Sequence, residues 1–186
     1  NRGKLQEIQA LLGDCIHLVG AASAGVRSPE ETATTFVENA LAKARHGAAT
    51  SGLPTIADDS GLVVDALGGG PGVRSARYAG DNASDSDNVA QLLAALEEVP
   101  TQLRTARFIC VVVALQSVDD PTPLIAQGTW QGLISQQPRG NGGFGYDPIF
   151  EDLDTGLTAA ELSSASKNER SHRGQALQAL QRHFNP

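Results

Sequence analysis

The feature that most constrains the fold is residues 106–115, a segment whose apolar side chains do not alternate with polar ones. β-Branched residues are common in it, which favours a strand, and the missing alternation predicts a strand that is buried on both faces. Its longest continuous apolar stretch, residues 109–115, is far shorter than the roughly 20 residues that span a bilayer. The segment therefore predicts the covered strand of a sheet rather than a membrane segment.

Periodicity and turn signals predict the elements around this strand. Ser28 is the predicted N-cap residue of a helix that begins at Pro29 and extends to about Arg45. Glu31, three residues after Ser28, completes the capping pattern. Apolar spacing predicts further helices over residues 4–12, 88–98 and 173–184. Short strands are predicted over 55–57, 124–126 and 128–134. Because helices alternate with strands that are adjacent in the middle of the chain, we predict an α/β fold with a mixed sheet.

Charge and cysteine content exclude several classes of partner. The 186 residues include 14 Lys+Arg and 21 Asp+Glu, a formal net charge of −7, and no basic cluster that would bind nucleic acid. The two cysteines lack metal-ligand spacing, and no basic and then apolar leader opens the sequence. We therefore predict a cytoplasmic protein without nucleic-acid or membrane partners. The chain contains no methionine, so we expect further residues ahead of Asn1.

Two adjacent carboxylates, Asp58 and Asp59, lie between apolar stretches in the segment 56–62. Burying them is costly unless a cation or hydrogen bonds compensate the charge. Carboxylate oxygens suit Mg²⁺, which leaves its other positions to water and phosphate oxygens. In a regular strand the two side chains would face opposite ways, so both could reach one metal only if the chain bends, as Gly61 would permit. An exposed turn that caps a hairpin is the alternative.

Further acids lie near the predicted start of the helix that follows Ser28. Glu31 and Glu38 are seven residues apart, which would place them on one helix face, two turns from each other. Glu30 and Glu31 could join Asp59 at a metal. Equally, an acid at a helix N-terminus is stabilised by the helix dipole and needs no other role.

Phosphate and base contacts are predicted in three segments. Asn1-Arg2-Gly3-Lys4 precedes the first predicted helix and offers backbone N–H groups and a lysine, although it is not a P-loop. The glycine-rich loop 138–148 contains a G-x-G-x-x-G match, but no helix follows, so a flexible clamp with Phe144 or Tyr146 stacked on a flat ligand is preferred. Near the last helix, Lys167, His172 and Arg173 could bind an anion or a base edge, or be solvated charges.

Taken in order, these segments resemble the inosine triphosphate pyrophosphatases over nearly the whole chain. The motifs that carry the resemblance are Asn1-Arg2-Gly3-Lys4, Phe36-Val37-Glu38-Asn39-Ala40, Ile56-Ala57-Asp58-Asp59-Ser60-Gly61-Leu62, Gly68-Gly69-Gly70-Pro71-Gly72-Val73, Ser75-Ala76-Arg77-Tyr78, Gly143-Phe144-Gly145-Tyr146-Asp147-Pro148 and Ser171-His172-Arg173-Gly174. Each motif alone is weak, but the ordered set is specific.

The resemblance implies a Mg²⁺-dependent hydrolase that converts dITP, ITP or XTP to the monophosphate and pyrophosphate. It also implies a cytosolic homodimer with one domain over residues 1–186, built on a long mixed β-sheet with flanking helices and two lobes around a central cleft. The family has a strand and a small hydroxyl residue before Asn1, and both are absent here. Two alternatives remain: a metal-dependent hydrolase of other nucleotides, or a non-catalytic nucleotide-binding module.

Residue by residue, the resemblance assigns Asp59 as proton acceptor and metal ligand, and Glu30 as the second metal ligand, with Glu31 as the alternative. Glu38 and Asp58 also remain candidates for contacting the metal. Through the resemblance, His172 and Arg173 would read the 6-oxo edge of the purine. The positions that match substrate-binding residues are Asn1, Arg2, Gly3, Lys4, Ser60, Phe144, Gly145, Tyr146, Asp147, Lys167, His172 and Arg173.

Overall fold

The computed structural model describes residue 9 and residues 17–184 of the chain. Four α-helices and four strands are described in these residues, joined by loops and short 3₁₀ turns. In chain order they are α1 (Phe36–Ser51), β1 (Thr55–Val64), α2 (Asp85–Ala95), β2 (Thr105–Leu115), β3 (Leu124–Ile134), β4 (Phe150–Asp152), α3 (Ser164–Arg170) and α4 (His172–Phe184). The predicted helix over residues 4–12 lies outside the described residues.

The strands form a four-stranded sheet in the order β1-β2-β3-β4. β4 runs antiparallel to β3, with Leu133 opposite Glu151. At the other edge, Asp65, directly after β1, accepts a hydrogen bond at 2.8 Å from Thr105 at the start of β2. The α/β class with flanking helices is confirmed. The four described strands form an antiparallel sheet. A mixed sheet, as the sequence predicted, would need a parallel strand, and none is found among these four.

The predicted doubly covered strand is confirmed as β2, in which every residue from Cys110 to Leu115 is buried. Two elements are longer than the sequence predicted. The strand predicted over 55–57 continues without a turn to Val64, and the two strands predicted over 124–126 and 128–134 are one strand, β3. Gly61 was expected to permit a bend in the first of these strands, but a glycine inside a strand is tolerated when the ladder continues on both sides. In β3 the polar Gln127, which separated the two predicted strands, is an exposed position of one continuous strand.

The helix predicted to begin at Pro29 begins seven residues later, at Phe36. Thr35 is the N-cap residue: its hydroxyl accepts a hydrogen bond from the backbone N–H of Glu38 and donates one to the Glu38 carboxylate at 2.6 Å. Thr35 and Glu38 therefore reproduce the capping pattern that had been assigned to Ser28 and Glu31. β-Branched threonines before Thr35 disfavour an earlier start. Consequently Glu31 precedes α1 and does not share a helix face with Glu38.

The chain folds into two compact units, each built from segments that are separated in sequence. The first, called the Asp59 unit, comprises the described residues 17–59, 110–128 and 173–184. Its core consists of small and branched side chains from β2, β3 and α4, with Leu177 and Leu180 at most 2% exposed.

The second, called the Phe144 unit, comprises residues 60–109 and 129–172. Its core combines aliphatic side chains with an aromatic cluster, in which the Phe108 ring lies 6.4 Å from Trp130 and 4.5 Å from Phe150 between ring centroids. The single domain and the central cleft implied by the resemblance stay predictions. In the part of the chain that is described, no helix is both long and apolar enough to cross a membrane.

Candidate active site

The carboxylate of Asp59 is the most enclosed charged group of the Asp59 unit's candidate site, with a side chain only 7% exposed. It points from β1 to α1, where the Lys43 ammonium donates to Oδ1 at 2.7 Å and the Asn39 amide donates to Oδ2 at 3.3 Å. Asn39 and Lys43 are four residues apart, so they lie on one face of α1. Buried Ala40 and Ala44 beside them allow the helix to pack closely.

A second carboxylate, Glu31, contacts the same ammonium: its Oε1 lies 2.5 Å from Lys43 Nζ. The structure thus brings Glu31, rather than Glu30, to the Lys43 ammonium that Asp59 also contacts, while Glu30 is exposed. Both glutamates precede α1, in a segment without regular secondary structure.

Burial and the neighbouring charges shift the pKa values of both Asp59 and Lys43. Desolvation raises the pKa of Asp59 above its usual value, and the negative charge of Glu31 adds to the rise. The Lys43 ammonium and the Asn39 amide oppose it. For Lys43, burial acts to lower the pKa, but hydrogen bonds and charge from Asp59 and Glu31 together raise it. The result is a desolvated carboxylate beside a firmly protonated lysine.

Asp58 has a different partner from Asp59. Its Oδ2 lies 3.5 Å from Nη2 of Arg173 at the start of α4, whereas its backbone carbonyl accepts from Lys43 at 3.3 Å. β1 does not bend here, so the adjacent carboxylates do not converge on one position, as expected for a regular strand. The exposed hairpin turn that the sequence left open is therefore wrong.

A cation fits between Asp59 and Glu31, because Lys43 already places one positive charge within 2.7 Å of both. Two carboxylates suit a hard ion that completes its coordination with water and phosphate oxygens. Among residue 9 and residues 17–184, no group of three or more His, Cys, Asp or Glu side chains is placed to hold a metal ion. Asp59 and Glu31 would therefore supply two ligands at most.

In the Phe144 unit, the glycine-rich loop is fixed by hydrogen bonds on both sides of Phe144. The Asp147 carboxylate accepts from the Phe144 N–H at 2.8 Å, and Asp85 of α2 accepts from the Gly145 N–H at 2.7 Å. The Tyr146 hydroxyl donates to the Ser75 carbonyl at 2.8 Å. We call the segment 143–147 the Phe144 loop. Its backbone and the Tyr146 side chain are held by these hydrogen bonds, whereas the sequence suggested a flexible clamp.

The two aromatic residues of the Phe144 loop have different environments. Tyr146 is 5% exposed and part of the unit's core, and its burial, with Tyr78 and Asp85 nearby, raises the pKa of its hydroxyl. Phe144 is 59% exposed, and Lys167 Nζ lies 5.0 Å from its ring centroid. Of the two candidates, only Phe144 exposes its ring to solvent.

The remaining predicted site residues have structural partners or half-buried positions. The buried Asp147 forms an ion pair with Lys167. The His172 ring stacks on Phe108 at 4.8 Å and 13°. Ser60 is half-buried within β1. The predicted phosphate site Asn1-Arg2-Gly3-Lys4 lies outside the described residues.

Three contributors were missed by the sequence analysis: Lys43, Asn39 and Asp85. Asn39 and Lys43 carried a usable signal, since two polar residues four apart beside buried alanines mark a helix face that meets another polar group. Asp85 had none, because an acid in the first turn of a helix is explained by the dipole alone. Its contact with Gly145 spans 60 residues of sequence.

Comparison with known proteins gives a consistent result. The model of the Ham1 family matches residues 1–183. The dITP/XTP pyrophosphatase of Yersinia pseudotuberculosis is 55% identical over 181 residues, which cover 97% of this chain and 92% of that protein. The dITP/XTP pyrophosphatase of Pectobacterium atrosepticum is 54% identical with the same coverage. A solved HAM1 protein from Coxiella burnetii superposes with a TM-score of 0.95 at 48% identity, covering 100% of this chain and 94% of that one.

Proposed function

Since this chain belongs to the Ham1 family, we propose that it hydrolyses non-canonical purine nucleoside triphosphates, dITP, ITP and XTP, to the monophosphate and pyrophosphate. Two relatives with more than half of their residues identical are dITP/XTP pyrophosphatases. The structural observation that carries the proposal is the buried Asp59 carboxylate, held beside Lys43 and Glu31. Removal of deaminated nucleotides from the precursor pool is the role that this activity would serve.

Asp59 acts as the proton acceptor in this proposal. Its burial raises the pKa of the carboxylate, which makes it a stronger base than an exposed aspartate. Asn39 holds one carboxylate oxygen from α1, and Lys43 holds the other as long as no metal ion takes its place. A water molecule that gives its proton to Asp59 attacks phosphorus, and pyrophosphate leaves.

Asp59 and Glu31 are the described residues that would hold Mg²⁺, and Glu30 remains the alternative to Glu31. When bound, the ion would neutralise phosphate charge and make pyrophosphate a better leaving group. Lys43 would then have to leave its position between Asp59 and Glu31, and its long flexible side chain allows that movement. Lys4, Lys167 and Arg173 are proposed to neutralise the remaining phosphate charge.

Recognition of the base is assigned to Phe144 and to hydrogen-bond donors. The exposed Phe144 ring offers an apolar surface on which a purine can stack. Arg173 and His172 are the proposed readers of the 6-oxo group. A guanidinium has only donors, so it can pair with the keto oxygen of hypoxanthine or xanthine and not with the amino group of adenine.

The decisive experiment compares pyrophosphate release from dITP, ITP, XTP, ATP and GTP in the presence of Mg²⁺. We expect turnover of the first three and little of ATP. Asp59→Asn should lose most of it while remaining folded, whereas the matched control Asp119→Asn, at an exposed position, should behave like the wild type. Equal rates on ATP and ITP would instead favour a general nucleotide hydrolase, and binding of ITP without any product would favour a non-catalytic module.

We also propose that the protein is a cytoplasmic homodimer, as the family resemblance implies. Light scattering after gel filtration tests the dimer, which predicts twice the chain mass of 19.4 kDa. Fractionation of cells that express the protein tests its location.

A further inference from the structure

We propose that Asp85 is a positioning residue for base recognition, because its carboxylate holds the peptide that follows Phe144. The inference rests on the proposed function in one respect, namely that Phe144 stacks on the purine. No other part of the predicted site involves α2, so this assignment adds a helix to the machinery that recognises the base.

The geometry of the peptide chain explains how Asp85 acts. A peptide unit is planar, so an N–H held by an acceptor fixes the orientation of the whole unit. Asp147 holds the N–H of Phe144, and Asp85 holds the N–H of Gly145, at 2.8 and 2.7 Å. The two peptide units on either side of the Phe144 Cα are therefore both anchored by carboxylates, which sets the backbone angles of this residue.

Asp85 is itself well supported. Ser84 before it accepts from the N–H of Asp87, and the Asp87 carboxylate accepts from the N–H of Ser84 at 2.9 Å, which closes the first turn of α2. One turn further, the amide of Asn88 accepts from the Ala79 N–H at 2.8 Å and donates to the Ala76 carbonyl. The anchor of the Phe144 loop is thus a capped helix end that is bonded to the neighbouring 3₁₀ turn.

Phe144 needs an external anchor because its own side chain is poorly packed. With its side chain 59% exposed, the ring gains little orientation from neighbours other than Lys167. A ring that is already oriented in the free protein binds a flat base without the cost of ordering the loop. Loss of the Asp85 contact should therefore weaken substrate binding and leave the hydrolytic step, which Asp59 performs, unchanged.

The test uses steady-state pyrophosphate release from ITP by the full chain. Asp85→Ala, which removes the acceptor, should raise KM by about three- to tenfold with kcat within about twofold of the wild type, the loss expected for one charge-assisted hydrogen bond at an exposed site. Asp85→Asn keeps an acceptor oxygen and should restore KM to within about twofold. It loses the charge that favours the helix N-terminus, so it separates the loop contact from helix stabilisation.

Hydrogen exchange of the Gly145 amide supplies a readout that needs no substrate. Exchange should be faster in Asp85→Ala than in the wild type and close to the wild-type rate in Asp85→Asn. If the wild type is active and the KM of Asp85→Ala equals that of the wild type, or the KM values of both variants are raised equally, the role of Asp85 is overturned and the proposed function still stands. A folded wild type that releases no pyrophosphate from any of the triphosphates would overturn the proposed function itself.

Discussion

Gly143 is the position at which a single methyl group should disturb the Phe144 loop most. A Cβ on Gly143 would lie 2.0 Å from Oδ2 of Asp147 and 3.0 Å from Lys167 Nζ. Oδ2 is the atom that accepts from the Phe144 N–H, and Asp147 is 4% exposed, so its carboxylate cannot retreat into solvent. Gly143→Ala must therefore separate the carboxylate from both of its partners.

The expected loss of stability has two parts. Gly143 has a φ of +74°, and an alanine in this left-handed conformation costs about 1–2 kcal/mol. Displacing a buried carboxylate from its hydrogen bond and its lysine adds about 2–4 kcal/mol, at the lower end of the values for buried pairs because the Lys167 side chain is 19% exposed and can reach water. The variant should unfold with a free energy about 3–6 kcal/mol below the wild type.

Gly145→Ala is the matched control. Gly145 has a φ of +60°, but nothing lies within 4 Å of a Cβ built on it, so this variant should show the conformational cost alone, about 1–2 kcal/mol. Urea unfolding can be followed by the fluorescence of Trp130, the only tryptophan, which is 4% exposed in the core of the same unit.

A second comparison separates the clash from the conformational cost within one site. In an Asp147→Ala background the carboxylate is gone, so Gly143→Ala should cost only about 1–2 kcal/mol, and the double-mutant cycle should be clearly non-additive. Equal losses for Gly143→Ala and Gly145→Ala, or an additive cycle, would show that Asp147 does not occupy the space beneath Gly143.

Three further predictions concern stability. Because burial raises the pKa of Asp59, ionisation of this carboxylate opposes folding. Asp59→Asn should therefore be at least as stable as the wild type at a pH above the folded-state pKa, and the difference should vanish below about pH 3.8, where the carboxyl group is protonated in both states. Urea titrations at acid and neutral pH check this. Trp130→Phe removes the Nε1 donor that lies 2.8 Å from Oδ1 of buried Asp152 and should cost about 1–2 kcal/mol, measured by circular dichroism during unfolding. Leu180→Ala opens the core of the Asp59 unit and should cost about 2–5 kcal/mol, whereas exposed Leu53→Ala should stay within about 0.5 kcal/mol.

The sequence predicted well wherever a local pattern decides the outcome. The unbroken apolar run became β2, covered on both faces, and the costly pair Asp58 and Asp59 did mark a polar cluster, in the half-buried first part of β1. The predicted start of α1 was wrong because Thr35 with Glu38 satisfies the same short-range capping pattern as Ser28 with Glu31, and only the Ser28 pattern was considered. β-Branching near Thr35 would have favoured the later start.

Contacts between distant segments could not be predicted. That Asp59 meets Lys43 depends on how α1 packs against a strand 16 residues away in sequence, and that Gly145 meets Asp85 depends on how α2 packs against a loop 60 residues away. Likewise, the sequence could not decide which of Phe144 and Tyr146 is exposed, because both are large aromatic side chains and they are only two residues apart. Burial of Tyr146 beneath the Ser75 carbonyl is a property of the packed unit rather than of its sequence neighbourhood.

The regular alternation in β1 restricts how the length of this region can vary. Asp59 is bonded to α1 and Asp58 to α4, so a deletion of one residue between Thr55 and Asp58 would exchange the partners of the two carboxylates. Insertions in the turn at Gly52 and Leu53 do not change which face of β1 the Asp58 and Asp59 side chains occupy. Length variation among functional homologues should therefore be found in that turn, while the number of residues from Thr55 to Asp59 should stay constant.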